Sequence, residues 1–197
     1  MAFYNTPMKI TKILFALLIV LVTTYYLLDR NLFYYGKSDF TSYNLLPLKI
    51  VPDYTAEWEY GFILRDEYGF SIAAKVNSYP FNGKMVYINK VIKYGFSKNQ
   101  LVAVVSDSSR VIYCLMFAPT PKGRTEFDGV LYSGNKINDF KLDRWIEIDD
   151  TYIGNLSFYR NWAMIFSLFL TAVVLYRLIK SIFKKSNQSL TKVCNAY

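Results

Sequence analysis

The sequence predicts an α+β membrane protein in which two transmembrane helices flank a β-rich extracytoplasmic domain. Three observations carry that expectation. Residues 13–28 and 161–176 are two apolar runs, each of 16 residues without an ionised side chain. Residues 29–160, between them, hold all 15 acidic residues and 16 of the 23 basic ones, so that segment is within one charge of neutral, while the ends hold 7 basic residues and no acidic ones. The middle is also rich in Tyr, Phe, Val and Ile, set in short runs between turn signals, which is the pattern of strands.

A 16-residue helix covers about 24 Å of a hydrocarbon core about 30 Å thick, so the flanks must supply the rest. Ile10 and Thr11 extend the first run past Lys12, whose long stem can snorkel to the interface. Leu178 and Ile179 extend the second past Arg177 in the same way. Tyr25, Tyr26, Tyr34 and Tyr35 after the first run, and Phe158, Tyr159 and Trp162 before the second, suit the two interfaces. A cleavable signal peptide needs a small-x-small site after its apolar stretch, but residues 23–28 end in Tyr25, Tyr26, Leu27 and Leu28. The expected organisation is therefore a tail at 1–12, an uncleaved signal-anchor at 13–28, a domain at 29–160, a second span at 161–179 and a basic tail at 180–197.

Charge sets the expected direction. Arg177, Lys180, Lys184, Lys185 and Lys192 follow the second run, whereas Arg144 and Arg160 precede it among Glu147, Asp149 and Asp150. Cytoplasmic flanks carry the excess Lys and Arg. Lys9 and Lys12 nearly balance Arg30 and Lys37 around the first run, so the second run decides. Both termini are expected in the cytoplasm, the location is the inner membrane, and residues 29–160 lie outside it. The sequence pI of 9.3 then reflects the tails, where topology and lipid head groups account for it. The bilayer is the expected partner of the ends, and nucleic acid is not a partner.

Within the domain, 59–64 and 70–76 read as strands around a turn at 65–69. Asn82 and Gly83 suit a tight hairpin turn. The next strand is 85–94, followed by a hairpin of 101–105 and 111–117 joined through Asp107, Ser108 and Ser109. Pro119 and Pro121 stiffen a loop. Residues 130–132 form a last strand. Residues 137–148 place Ile137, Phe140 and Trp145 near helical spacing and predict a short amphipathic helix, and 29–56 reads as an irregular stalk.

The chain contains no histidine, which removes Ser-His and Cys-His nucleophiles and His-ligated metals. Its two cysteines, Cys114 and Cys194, are too few for a cysteine zinc site and fall on opposite sides of the predicted membrane. No catalytic, cofactor-binding or metal-binding residue is predicted, and no cofactor. The adjacent acids Asp66 and Glu67, and Asp149 and Asp150, are the only pairs that invite carboxylate catalysis. Neighbours on a strand point to opposite faces, which works against them.

Ala163, Ser167 and Thr171 recur every four residues on one face of the second span. Small residues at that spacing let helices approach closely, and hydroxyls can bond across. This face is expected to pack on the first span or on a second copy, giving a homodimer. The functional expectation is a non-catalytic protein that presents residues 29–160 to a protein partner, as a toxin-immunity protein or an envelope-complex component would. The alternatives are a carboxylate-dependent enzyme on envelope substrates, or a membrane sensor that needs a partner for output.

Overall fold

The structure is a computed structural model; it describes residues 6–40, 45–55, 61–118 and 129–194, with side chains from residue 10 to residue 183. Two long helices, α1 (Thr6–Leu32) and α2 (Asp150–Cys194), bracket the strands. Both are long and apolar enough to cross a membrane: Ile10–Tyr35 and Asp150–Phe183 each contain an 18-residue stretch with a mean hydropathy of 2.0. They overrun the apolar runs at both ends. Pro7 sits in the first turn of α1, where a missing N–H costs little, and no Gly or Pro follows before Gly36. Asp149 caps α2: its Oδ1 accepts from the Thr151 N–H at 2.8 Å and the Tyr152 N–H at 3.3 Å.

The chain divides into a helical unit, Met1–Leu28 with Phe158–Tyr197, and a β-rich unit, Asp29–Ser157. In the helical unit most apolar side chains of both helices are exposed, as lipid-facing residues are. Against that background each helix carries a less exposed stripe at heptad spacing. On α1 it comprises Thr11, Leu14, Leu18, Leu21, Tyr25 and Leu28; on α2 it comprises Arg160, Ala163, Ser167, Leu170, Thr171, Val174 and Arg177. Ala163 and Val174 are only 7% and 5% exposed. Two helices that shield one another leave this pattern.

Among the described residues the β-rich unit contains three antiparallel sheets. Strands β1 (Val51–Thr55), β2 (Gly61–Arg65) and β3 (Ser71–Ala73) form one sheet. Strands β4 (Ser78–Phe81) and β5 (Lys84–Tyr87) form a hairpin. Strands β6 (Lys90–Phe96), β7 (Leu101–Ser106), β8 (Ile112–Phe117), β9 (Gly129–Ser133) and β10 (Arg144–Glu147) form the largest sheet, in the order β10-β6-β7-β8-β9. Leu101, Ala103 and Val105 of β7 point into the main core with Leu115 and Phe117 of β8, Tyr94 of β6 and Phe62 and Leu64 of β2. Val102 and Val104 point the other way, into a second cluster with Cys114, Met116, Phe140 and Trp145. β7 is thus buried on both faces, which is why it reads as a continuous apolar run.

Three sequence expectations change. Residues 29–56 are not an irregular stalk. Leu32, Phe33, Leu46 and Ile50 are all buried in the main core, and Val51–Thr55 is a strand of the first sheet. The buried Asp29 carboxylate accepts from the Ser38 hydroxyl at 2.6 Å and the Asp39 N–H at 3.0 Å, which ties down the chain leaving α1. Pro47 and Pro52, which suggested irregularity, sit in a 3-10 turn and a sheet-edge strand, where proline is tolerated. The amphipathic helix expected at 137–148 is a 3-10 segment, Gly134–Asp139, followed by β10. Its apolar residues cover the second face of the large sheet. Gly95 makes room for them: a Cβ there would come within 2.7 Å of Leu142 and of the Trp145 ring. The strand expected at 85–94 is two, β5 and β6, in different sheets. The Ile88 N–H bonds Asn77 O at 3.0 Å and the Asn89 N–H bonds Ser106 O at 2.7 Å, which hands the chain from one to the other.

Candidate functional site

Two surface features of the β-rich unit combine exposed apolar side chains with a fixed backbone. The first is the turn between β2 and β3. Asp66 is only 7% exposed, and its Oδ1 accepts from the Tyr68 N–H at 2.9 Å and the Phe70 N–H at 2.8 Å. The Asp66 N–H donates to Phe70 O at 2.9 Å, and the Gly69 N–H to Asp66 O at 3.1 Å. Gly69 supplies the left-handed backbone at φ +86°. Arg65 braces the turn from outside, with Nη1 on Gly69 O at 2.9 Å and Nε on the Asp53 carboxylate at 2.7 Å. Lys49 pairs with Glu67 at 2.5 Å, on the surface where such a pair adds little stability. Within this framework Tyr68 is 58% exposed and Phe70 is 71% exposed.

The second feature is the β4–β5 hairpin. Asn82 and Gly83 both have positive φ, 49° and 75°, the two-residue turn whose twist matches the strands. Tyr79, Phe81 and Val86 face the core, while Met85 and Tyr87 on the alternate positions are exposed, as is Val76 just before the hairpin. Among the described residues β5 pairs only with β4, so its other edge carries open backbone groups. Asn77 links the two features: its Nδ2 donates to Ser71 O at 2.9 Å, beside Phe70, and its carbonyl accepts from Ile88, beside Tyr87.

The carboxylates singled out in the sequence are engaged locally. Asp66 is used by its turn and Glu67 by Lys49. Asp149 caps α2, and Asp150 accepts from the Tyr54 hydroxyl at 2.8 Å. That bond holds the Tyr54 proton and raises its pKa, with desolvation and the Asp150 charge adding in the same direction. Neither adjacent pair points both acids at one place. Cys114 is fully buried, and burial pushes its thiol pKa up, which suppresses thiolate reactivity. The side chain of Cys194 lies outside the described residues. Among the described residues no group of three metal-ligating side chains occurs.

Ala163, Ser167 and Thr171 do share the less exposed stripe of α2. Their hydroxyls bond within the helix: Ser167 Oγ donates to Ala163 O and Thr171 Oγ1 to Ser167 O, both at 2.7 Å. Tyr68 and Phe70 were not singled out by sequence reasoning. The available signal was an Asp three residues before a Gly, with an aromatic on each side of the Gly. The chain matches no family model, and no curated protein or solved structure matches it.

Proposed function

We propose that the protein is a membrane-anchored, non-catalytic binding module, with its β-rich unit outside the inner membrane, both termini in the cytoplasm, and the Asp66–Phe70 turn as its docking point for a protein partner. The observation that carries this reading is the exposure of Tyr68 and Phe70 on a turn in which the N–H groups of Asp66, Tyr68, Gly69 and Phe70 are all hydrogen-bonded. A protein interface gains most from large aromatics that are already ordered before contact. The open edge of β5, with Met85 and Tyr87, extends the surface. The basic C-terminal flank of α2 supports the direction, and the two apolar helices support anchorage. Toxin immunity or membership of an envelope complex both fit such a module.

A photo-crosslinking residue in place of Phe70, in the full-length protein in its native membrane, should yield one discrete adduct that disappears when Tyr68 is changed to Ser. A discrete adduct from position 87 alone would move docking to the hairpin. No adduct from either position would sink the protein-binding reading. A cysteine at the exposed Ser133, probed with an impermeant reagent on intact cells, tests the direction separately.

A sensor is the second reading, and one feature favours it. Leu32 and Phe33, at the end of α1, and Ile153, in the first turn of α2, belong to the main core. The end of α1 and the start of α2 are thus themselves part of the folded unit.

A further inference from the structure

We infer that the Asp66–Phe70 turn and the ends of both long helices within the β-rich unit form one coupled device, joined through β1 with Tyr54 as its clasp; this rests on the docking turn proposed above and supplies the regulation of that same site. A run of direct contacts carries it. Arg65 donates from Nη1 to Gly69 O at 2.9 Å and from Nε to the Asp53 carboxylate at 2.7 Å, so one guanidinium ties the turn to β1. Asp53 and Tyr54 share a peptide unit, and Gly36, four residues past the end of α1, lies directly against it. The Gly36 carbonyl accepts from the Tyr54 N–H at 3.1 Å, and no Cβ would fit between Gly36 and the Asp53 backbone. The Tyr54 hydroxyl donates to Asp150, the first residue of α2, at 2.8 Å. One strand position thus holds the exit of α1 by its main chain and the entry of α2 by its side chain.

The contacts in this run differ in how readily they give. Gly36 meets Asp53 backbone on backbone, with no space for either to move without the other. The Tyr54–Asp150 bond lies at the surface, where both groups regain water when it opens, so its closed and open states are close in free energy. It is the element of the run with two arrangements. Two further contacts favour the closed one: Lys37 Nζ lies 4.1 Å from the centroid of the Tyr54 ring, and the rings of Tyr35 and Tyr152 meet with centroids 5.6 Å apart. A partner seated on Tyr68 and Phe70 steadies Gly69, and through Arg65 it steadies Asp53 and β1, which favours the closed clasp. Such coupling is reciprocal: whatever opens the clasp from the helix side lowers affinity at the turn by the same factor.

The first test needs no partner. Amide hydrogen exchange is followed by mass spectrometry on the full-length protein in detergent micelles. Tyr54→Phe removes the hydroxyl and keeps the ring. In that variant the peptide covering residues 66–70 should exchange on the order of fivefold faster, the low end of typical couplings, while β7 exchanges as before. In an Arg65→Gln background, where the run is already cut, Tyr54→Phe should change nothing further at the turn. Unchanged exchange at residues 66–70 in Tyr54→Phe overturns the inference. So does acceleration spread equally over β7, which is lost stability and not coupling. An equal effect of Tyr54→Phe with and without Arg65 overturns the route through Asp53. In the native membrane, Tyr54→Phe should also lower the yield of adduct from a photo-crosslinking residue in place of Phe70. Equal adduct with and without Tyr54→Phe overturns the coupling. No adduct even with Tyr54 in place overturns the docking reading instead.

Discussion

Gly36 should be among the most demanding positions in the chain, and replacing it with Ala tests whether residues 29–56 belong to the folded core. Gly36 follows the 3-10 turn Phe33–Tyr35 at φ +69°, and its carbonyl accepts from the Tyr54 N–H at 3.1 Å. A Cβ there would overlap the Asp53 carbonyl carbon and come within 2.5 Å of Asp53 Cα and Tyr54 N. Those are backbone atoms of β1, which cannot swing aside as a side chain can. The left-handed backbone costs an L-residue about 1–2 kcal/mol. Overpacking adds roughly 1–3 kcal/mol. The total of about 2–5 kcal/mol is a large fraction of the roughly 5–15 kcal/mol that holds a domain together. Gly69 and Gly83 also have positive φ, but nothing lies within 4 Å of a Cβ at either. Ala there should cost only the backbone share, about 1–2 kcal/mol. Thermal unfolding of the full-length protein in detergent, followed by tryptophan fluorescence, should show Gly36→Ala melting well below both controls. At about 4 °C per kcal/mol, the Gly36 shift is roughly 8–20 °C. If Gly36→Ala melts with the two controls, the close approach of residues 33–36 to β1 is wrong, and a loose stalk returns.

Two other predictions concern buried hydroxyls and the helix stripes. Burial pushes the Tyr79 pKa up to about 12, and burial also holds Tyr94 well above its usual value of 10.0. A raised folded-state pKa contributes stability that is complete below pH 10 and lost as pH climbs toward 12. Tyr79 alone accounts for about 2–3 kcal/mol across that window. Alkaline unfolding of Tyr79→Phe should begin from a lower baseline and fall less steeply between pH 10 and 12; identical slopes in the two proteins would contradict the burial. In the helical unit, cysteines introduced on the two stripes in antiparallel order (Leu21 with Ser167, Leu18 with Leu170, or Leu14 with Val174) should cross-link within one chain. Pairs drawn from Leu17 and Ile19 with Leu168 and Phe169, all exposed, should not. Equal cross-linking from both sets, or cross-links only between chains, would refute the intrachain seam.

The parts of the fold legible in the sequence are those where one local signal dominates. Both long helices follow from unbroken apolar runs, the β4–β5 turn from Asn82 and Gly83, and the β7–β8 hairpin from β-branched arms around Asp107. The misread parts are those where a distant partner decides. Ile137, Phe140 and Trp145 fit a helix by spacing, but the second face of β7 and β8 needed cover and β6 offered an edge, so the chain pairs instead. Residues 29–56 carry Pro47 and Pro52, yet Phe33 and Ile50 find a core that the local sequence does not reveal. The four-residue spacing of Ala163, Ser167 and Thr171 is a local property of the sequence, whereas what that face packs on is not. The turn proposed for docking was not legible, because exposure of Tyr68 and Phe70 depends on what the rest of the chain leaves uncovered.

The missing stalk has a consequence for partner binding. A 28-residue flexible tether spanning residues 29–56 would let a domain range on the order of 30 Å from its anchor. Instead Asp29, the residue after Leu28, is already buried, and Leu32 and Phe33 are in the core. At the other end Ile153 is buried three residues into α2. On the membrane reading, the described residues of 29–56 therefore supply no long tether between the first span and the folded unit. We propose that its partner is itself held at the membrane or arrives along it. Inserting a flexible Gly-Ser segment between Leu28 and Asp29 would interrupt α1 itself, so a reach-based test is better made from the partner's side. A partner released from its own membrane anchor should lose binding far beyond what its docking contacts with Tyr68 and Phe70 account for, because anchoring both molecules raises their effective concentration.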